Sequence, residues 1–400
     1  MSLLKNKNFN VLASSLFISK TGDYAYEVAF VFILLEITHN NFWLIGVVYF
    51  FRFIPFLFFG PLGGWLADNR EIKANVIYSE TVRLLSASMI FIFYYYDNLT
   101  VGLLILASIL TTIGRSIFQP SFQTAIPRLF YKKELTRVNG IMQVVEESAS
   151  VIGPLICTLI IYVSDKSYVM LFNTITYFIS IILLKQLSYD NSTANDKFYF
   201  PKVYRDNIQY LKELYRSKSD LFIAIFGSAV CILFTGSILR FIIPAYTLEN
   251  GGNELITSYI FSASACGTIL GGICYTKIVY HPTTYKLMLF WFSYGVVMLS
   301  LPAVSLINIL LVIPLALMLG FVGALVDITL VSTIQSNSAQ DNIGKSFGTF
   351  STLANTAEAS SGLIAGCFAA LGLFSSFIAM ALLIIISSLV GLKKTVNPEK

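Results

Sequence analysis

The stretch F-N-V-L-A-S-S-L-F-I-S-K-T-G-D-Y-A-Y-E-V-A-F-V-F-I-L-L, Phe9 to Leu35, is apolar at both ends and carries three charges in its middle. Its length suits a helix crossing a bilayer, which needs about 20 mostly apolar residues. A charged side chain at the bilayer centre costs about 2.5 to 3.5 kcal/mol on insertion scales, so it persists where it meets a partner or a wet cavity. Lys20 to Asp23 is an i,i+3 spacing and Asp23 to Glu27 an i,i+4 spacing, so all three project from one side of the helix. Lys20 and Asp23 are spaced to neutralise each other. Glu27 is then unmatched within its own helix, and an unmatched acid near the midplane is by default a proton or substrate site.

The rest of the chain repeats this pattern of long apolar runs. Of its 400 residues 56% are hydrophobic and 12% charged, with a mean hydropathy of +0.73, whereas a soluble domain carries about 25% charged residues. Twelve spans are predicted, at 9–36, 41–67, 75–96, 99–123, 138–163, 167–186, 219–247, 254–277, 285–305, 307–335, 346–370 and 372–392. Runs of this length are helices and exclude a β-barrel, whose alternating segments are about 10 residues long. The first run is longer than a signal-peptide core and has no A-x-A-like cleavage site, so it is expected to be retained. With the N-terminus inside, twenty-one of the 27 Lys and Arg fall on cytoplasmic segments and Lys166 alone falls outside. The expectation is a multi-pass protein of the inner (plasma) membrane with both termini cytoplasmic. The net charge of +5 is therefore a topology signal and implies no nucleic-acid partner. The five cysteines lie in spans without C-x-x-C spacing, and the two histidines, His39 and His281, lie in loops at opposite faces. Neither a disulfide nor a metal site is expected.

A polar connector divides six spans from six, giving an N-terminal bundle at 1–186, a connector at 187–218 and a C-terminal bundle at 219–400. Within the connector, Ile208, Leu211, Leu214 and Tyr215 recur at helical spacing, which predicts an amphipathic surface helix. The halves echo each other: G-P-L-G-G-W-L-A-D-N-R-E-I-K (Gly60 to Lys73) follows the second span, and G-G-I-C-Y-T-K (Gly271 to Lys277) follows the eighth. In both, a glycine pair lets helices approach closely just before a charged turn.

Gly64-x-x-x-Asp68 followed by Arg70 and Lys73, between spans two and three of a six-plus-six protein, resembles the signature of the major facilitator superfamily. The family pattern has a basic residue straight after the aspartate, where this chain has Asn69. In that family the aspartate caps a helix N-terminus across the domain interface and helps to hold the outward-open state. The resemblance therefore implies conformational gating by Gly64, Asp68, Arg70 and Lys73. Further along, G-R-S-I-F-Q-P-S-F-Q-T-A-I-P-R-L (Gly114 to Leu129), E-L-T-R-V-N-G (Glu134 to Gly140), Gly153-Pro154 and Gly22-Asp23 look like the macrolide-efflux-type branch of drug:proton antiporters. The fifth-span pattern of antiporters continues G-P-x-x-G-G, whereas this chain reads G-P-L-I-C-T. Gly153 and Pro154 join the gating set by this resemblance. Lysophospholipid transporters and ferroportin-like metal exporters share the Gly-Asp and span-two features.

Other charges interrupt the spans. Glu80 and Arg83, an i,i+3 pair, are expected to hold each other in a structural role. In span five, Asn139, Gln143, Glu146, Glu147 and Ser150 form a polar stripe straddled by the two glutamates. One of these is expected to meet cavity water while the other pairs with a helix-four group, for which the family resemblance implies Arg115 as the nearest candidate. Glu358 lies near the centre of span eleven among small residues, and Arg240 is a C-terminal cation suited to an anionic substrate or to snorkelling. The expected proton-coupling and cavity set is Lys20, Asp23, Glu27, Glu146, Glu147 and Glu358, with Tyr24, Gln143, Arg115 and Arg240 as substrate-binding candidates. Together these imply a secondary transporter working by alternating access, exporting a small amphipathic or anionic compound, drug-like or a siderophore, in exchange for protons. A metal or metal-chelate exporter and a lysophospholipid transporter are the alternatives. No P-loop is present, and no intramembrane nucleophile has a His base, so neither a cofactor nor an enzyme activity is expected. The expected partners are the substrate, protons and the bilayer, with the chain working as a monomer.

Overall fold

The computed structural model describes residues 3–39, 41–188, 199–249, 254–369 and 371–396. The polar D-N-S-T-A-N-D-K stretch of the connector, 190–197, lies outside them. Among the described residues the structure is all-helical, with no strand. Its helices are α1 (Lys7–Ile37), α2 (Phe42–Phe53), α3 (Pro55–Asn69), α4 (Ile72–Tyr95), α5 (Val101–Leu129), α6 (Leu135–Val163), α7 (Lys166–Lys185) and α8 (Phe200–Ser217). There follow α9 (Ser219–Phe222), α10 (Ser228–Ser237), α11 (Ile243–Glu249), α12 (Glu254–Ile278), α13 (Thr284–Ser305), α14 (Val312–Asn337), α15 (Ile343–Ala369) and α16 (Leu373–Val396). Among the described residues ten segments are long and apolar enough to cross a membrane. With α1, which carries three charges mid-helix, and α15, which is rich in Ser, Thr and Gly, they account for the twelve expected spans.

Two spans depart from a plain α-helix. The second is broken between Phe53 and Pro55, because Pro55 has no N–H to donate and suits the first turn of α3 rather than the interior of a longer helix. The seventh is interrupted by two π turns, Ile223–Gly227 between α9 and α10 and Ile238–Ile242 between α10 and α11. Several other helix starts follow ordinary capping chemistry. Asn6 accepts from the amides of Asn8 and Phe9 at the head of α1, and Thr100 from Leu103 at the head of α5.

The chain forms two compact units. The first comprises Met1–Tyr131, Val145–Tyr204 and Gln340–Ser351; the second comprises Lys132–Val144, Arg205–Ala339 and Thr352–Lys400. In the first, α1, α4, α5 and α7 pack together around Tyr26, Phe30, Ile33, Ile90, Leu104 and Met170, all buried. In the second, α12 packs on α14 and α13 on α16, with Tyr275, Val279, Leu325 and Ile328 buried between them. In lipid no hydrophobic force draws helices together, so close packing of small residues matters more. Gly114 shows why. A Cβ there would lie 2.5 Å from Cγ of Arg83 and 2.8 Å from the Ser79 carbonyl, so only glycine lets α5 lie flat against the arginine-bearing face of α4.

Candidate functional site

The three charges of α1 reach three different sets of partners within the first unit. Lys20 donates to Glu146 of α6 at 2.5 Å, both side chains being half-buried. Asp23 is buried and accepts on Oδ2 from Arg83 of α4, and on Oδ1 from the hydroxyl of Tyr177 of α7 at 2.5 Å. Glu27 accepts from Arg52 of α2 and, at 2.7 Å, from Arg115 of α5. Arg115 also lies 3.9 Å from Asp23. Its nearest acid is thus Glu27, in place of the expected glutamate of span five.

Shared partners tie the Asp23 and Glu27 contacts into one network. Arg83, only 2% exposed, holds Asp23 and also stands 3.4 Å from Glu80. Glu80 is 0% exposed and takes a hydrogen bond from Ser19 of α1 at 2.9 Å. The guanidinium of Arg83 lies over the ring of Tyr177 at 4.6 Å, and that of Arg52 over Phe30 at 4.8 Å, which adds cation–π attraction in a site dry enough for it to count. The charges are unevenly shared. Arg52 and Arg115 bracket the single carboxylate of Glu27, while Asp23 and Glu80 flank the single guanidinium of Arg83. The cation-rich end is the accessible one, Glu27 being 35% and Arg115 28% exposed.

The remaining residues singled out in the sequence fall elsewhere. Glu147 accepts from Ser150 within α6, and Tyr24 has its Cβ beside Gly153, whose lack of a side chain lets α6 meet α1. Pro154 lies inside α6. Gln143 is half-buried in the stretch of α6 assigned to the second unit. There the neighbouring Asn139 donates to Ser332 at 2.9 Å and Gln335 at 2.6 Å. Also in the second unit, Arg240, exposed on the Ile238–Ile242 π turn, pairs with Glu358 of α15 at 3.0 Å. Arg70 lies over the Trp65 ring at 5.4 Å and Lys73 donates to the Leu187 carbonyl at 3.0 Å.

Asp68, at the end of α3, is buried and accepts from the backbone amides of Gly344 at 2.6 Å and Lys345 at 2.8 Å, with Arg128 at 3.9 Å. Those amides belong to the first turn of α15, where N–H groups have no partner within the helix and the helix dipole favours a negative charge. Gly64 makes the approach possible, since a Cβ on it would lie 2.5 Å from the Gly344 carbonyl. Reading the sequence did not bring Arg52, Glu80, Arg83, Tyr177 and Ser19 into the site. The charges were visible within their spans, but helical spacing says which way a side chain points and not which helix lies opposite.

Long apolar helices with ion pairs between them define a polytopic membrane protein, and comparison with known proteins places its family. The Major Facilitator Superfamily profile matches residues 12–363, and the chain belongs to that family. Among curated proteins it is 23% identical over 134 residues to macrolide efflux protein A of Streptococcus pyogenes, covering 34% of this chain and 33% of that one. It is also 23% identical over 268 residues to the staphyloferrin A transporter of Staphylococcus aureus (strain NCTC 8325 / PS 47), covering 66% of this chain and 65% of that one. The aligned part is thus about a third of the first relative and just under two thirds of the second. Among solved structures, the human organic anion transporter MFSD10 superposes with a TM-score of 0.80 at 13% identity, covering 96% of this chain and 99% of that one. A bacterial homologue of the iron transporter ferroportin, in an outward-facing state, superposes with a TM-score of 0.74 at 15% identity, over 97% and 99% of the two chains. The structural likenesses establish the fold, and the family match makes the chain a multi-pass membrane protein of the Major Facilitator Superfamily.

Proposed function

We propose that the protein is a proton-coupled exporter of a small amphipathic or anionic compound, drug-like or a siderophore. It would work by alternating access of two six-helix bundles, 1–186 and 219–400, with both termini in the cytoplasm. The observation that supports an anionic cargo is the pair of guanidiniums, Arg52 and Arg115, on the one carboxylate of Glu27. In a low-dielectric setting that surplus positive charge attracts an anion, and Arg115 is the accessible member. Export is favoured by the named activity of the macrolide efflux relatives, and a siderophore by the staphyloferrin A transporter.

Coupling follows from competition at half-exposed ion pairs. Lys20–Glu146 and Arg240–Glu358 can each be opened by a proton on the acid or an anion on the base. Where protons are abundant the acid is neutralised and loses its own hold on a donor group of the cargo, which is released; on the other side it ionises again and regains that hold. Asp68 would set the conformational equilibrium through its hold on the start of α15.

The test is flux in proteoliposomes, offering a macrolide, an iron-free siderophore, its ferric chelate, a divalent metal and a lysophospholipid under an imposed pH gradient. One of the first two is expected to accumulate against its own gradient and to leak back when a protonophore is added. Arg115→Ala should weaken its apparent affinity about tenfold, roughly 1.4 kcal/mol. Movement of the metal or the lysophospholipid alone, or flux indifferent to the pH gradient, overturns the proposal.

A further inference from the structure

Two carboxylates share Arg83, and they are not equally served. Asp23 has a donor on each oxygen, Arg83 on Oδ2 and Tyr177 on Oδ1. Glu80 has Ser19 on Oε1 and Arg83 Nη1 at 3.4 Å from that same atom, while its Oε2 is buried without any hydrogen-bond partner among the described residues. Arg83 has the complementary lack: its Nε–H is buried and unused. The charged and titratable groups facing this spot are Lys20 and Asp23 on α1, Arg83 on α4, Arg115 on α5 and Tyr177 on α7. Lys20 is engaged by Glu146 and Arg115 mainly by Glu27, with Asp23 at 3.9 Å, so among the described residues Arg83 is the guanidinium shared by both acids. Two carboxylates so placed do not both ionise in a dry site, and a bare anionic oxygen is the costliest group to leave unpaired.

We propose that Glu80 is a proton-binding site: it carries a proton on Oε2 in the arrangement seen here, and its loss transfers Arg83 from Asp23 to Glu80. The step is a simple acid dissociation. The O–H bond on Oε2 breaks, the electron pair stays on that oxygen, and the proton passes to water. The new anion then draws in the unused Nε–H together with Nη1, and Asp23 keeps Tyr177 and gains weight from Arg115, already 3.9 Å away. Because Asp23, Lys20 and Glu27 lie along one helix, moving Arg83 changes the support behind the accessible charges on α1. This deepens the proton-coupled reading above and rests on it for its place in the transport cycle, though the protonation itself does not.

Infrared spectroscopy of the reconstituted protein reads the protonated carboxyl directly through its C=O stretch. At neutral pH the band is expected in wild type and in Glu358→Gln, to be absent in Glu80→Gln, and to shift in Ser19→Ala, which removes the hydroxyl bonded to Oε1. Absence of the band from wild type, or its persistence in Glu80→Gln, overturns the proposal. Should Glu80→Gln fail to fold, an unshifted band in Ser19→Ala does the same. In the flux assay Glu80→Gln should lose gradient-driven accumulation and keep substrate exchange. If wild type is indifferent to the pH gradient, the coupled-export reading fails while the infrared result still decides Glu80. If wild type is coupled and Glu80→Gln is equally coupled, the role of Glu80 fails alone.

Discussion

Removing the guanidinium of Arg83 should do more harm than removing the charge it holds. In Arg83→Met the side chain keeps much of its length, but Asp23 and Glu80 are left without the guanidinium between them, only Asp23 keeping a cation, Arg115 at 3.9 Å, in a site where Arg83 is 2% and Glu80 0% exposed. Breaking a buried ion pair from one side costs about 3 to 5 kcal/mol. In Asp23→Asn the amide oxygen still accepts from Tyr177, and Arg83 keeps Glu80 as an alternative partner. The loss is then that of an imperfectly satisfied buried group, about 1 to 3 kcal/mol. At about 2 to 4 °C per kcal/mol, the melting midpoint in detergent should fall by roughly 6 to 20 °C for Arg83→Met and roughly 2 to 12 °C for Asp23→Asn. Adding Asp23→Asn to Arg83→Met should raise the midpoint, since it removes one of the two orphaned acids. Folded yield and thermal midpoint for the three variants supply the comparison. If Asp23→Asn alone is as damaging as Arg83→Met, or the double variant is the worst of the three, the sharing of one guanidinium between two acids is wrong.

Asp68→Asn should leave insertion and yield intact, lower transport, and change the outward-open fraction, because it removes the anion from the first turn of α15; unchanged cysteine accessibility from outside would count against this. Gly114→Ala should cost about 1 to 3 kcal/mol through overpacking, read as lost yield, because its new methyl meets Arg83 and the Ser79 backbone. Asp165 caps α7: burial raises the pKa of its carboxyl, but the amides of Ser167 and Lys166 more than offset this and leave it below the ordinary value. The resulting stability is complete above the unfolded-state value of about 3.9 and is lost as pH falls through the lower folded value. The gap in melting midpoint between wild type and Asp165→Asn should therefore close on strong acidification.

The long helices were legible because lipid demands one thing of a spanning segment, enough consecutive apolar residues; among the described residues ten segments meet it outright, and α1 and α15 were legible from their length despite the polar residues within them. The Asp68 contact was legible as a motif, since the cap needs an acid at the end of one helix and glycines that let another approach. The network around α1 was only half legible. Spacing put Lys20, Asp23 and Glu27 on one side, yet each found its partner on a different helix, α6, α4 with α7, and α2 with α5. Glu80 and Arg83 are within reach of each other, as their spacing suggests, but Arg83 sits closer to Asp23, sixty residues away in sequence. Such partners are set by the depth and rotation of neighbouring helices, which periodicity within one helix does not encode. The break before Pro55 did have a signal, the missing amide of proline, in a run whose apolar length made it look continuous. The two π turns had none in composition.

Those π turns bear on how this chain tolerates changes of length. A π turn closes i to i+5 hydrogen bonds, where an α turn closes i to i+4, and so stores one residue more. Deleting one residue from Ile238–Ile242 would let that turn relax to an α turn, leaving α10 and α11 facing the neighbours they have now. The same deletion in the middle of the unbroken α14 would swing half that helix round by about 100° and misplace every contact beyond the cut. Arg240 sits within the stored residue's turn, so a single-residue deletion there re-aims this cation while sparing the helices on either side.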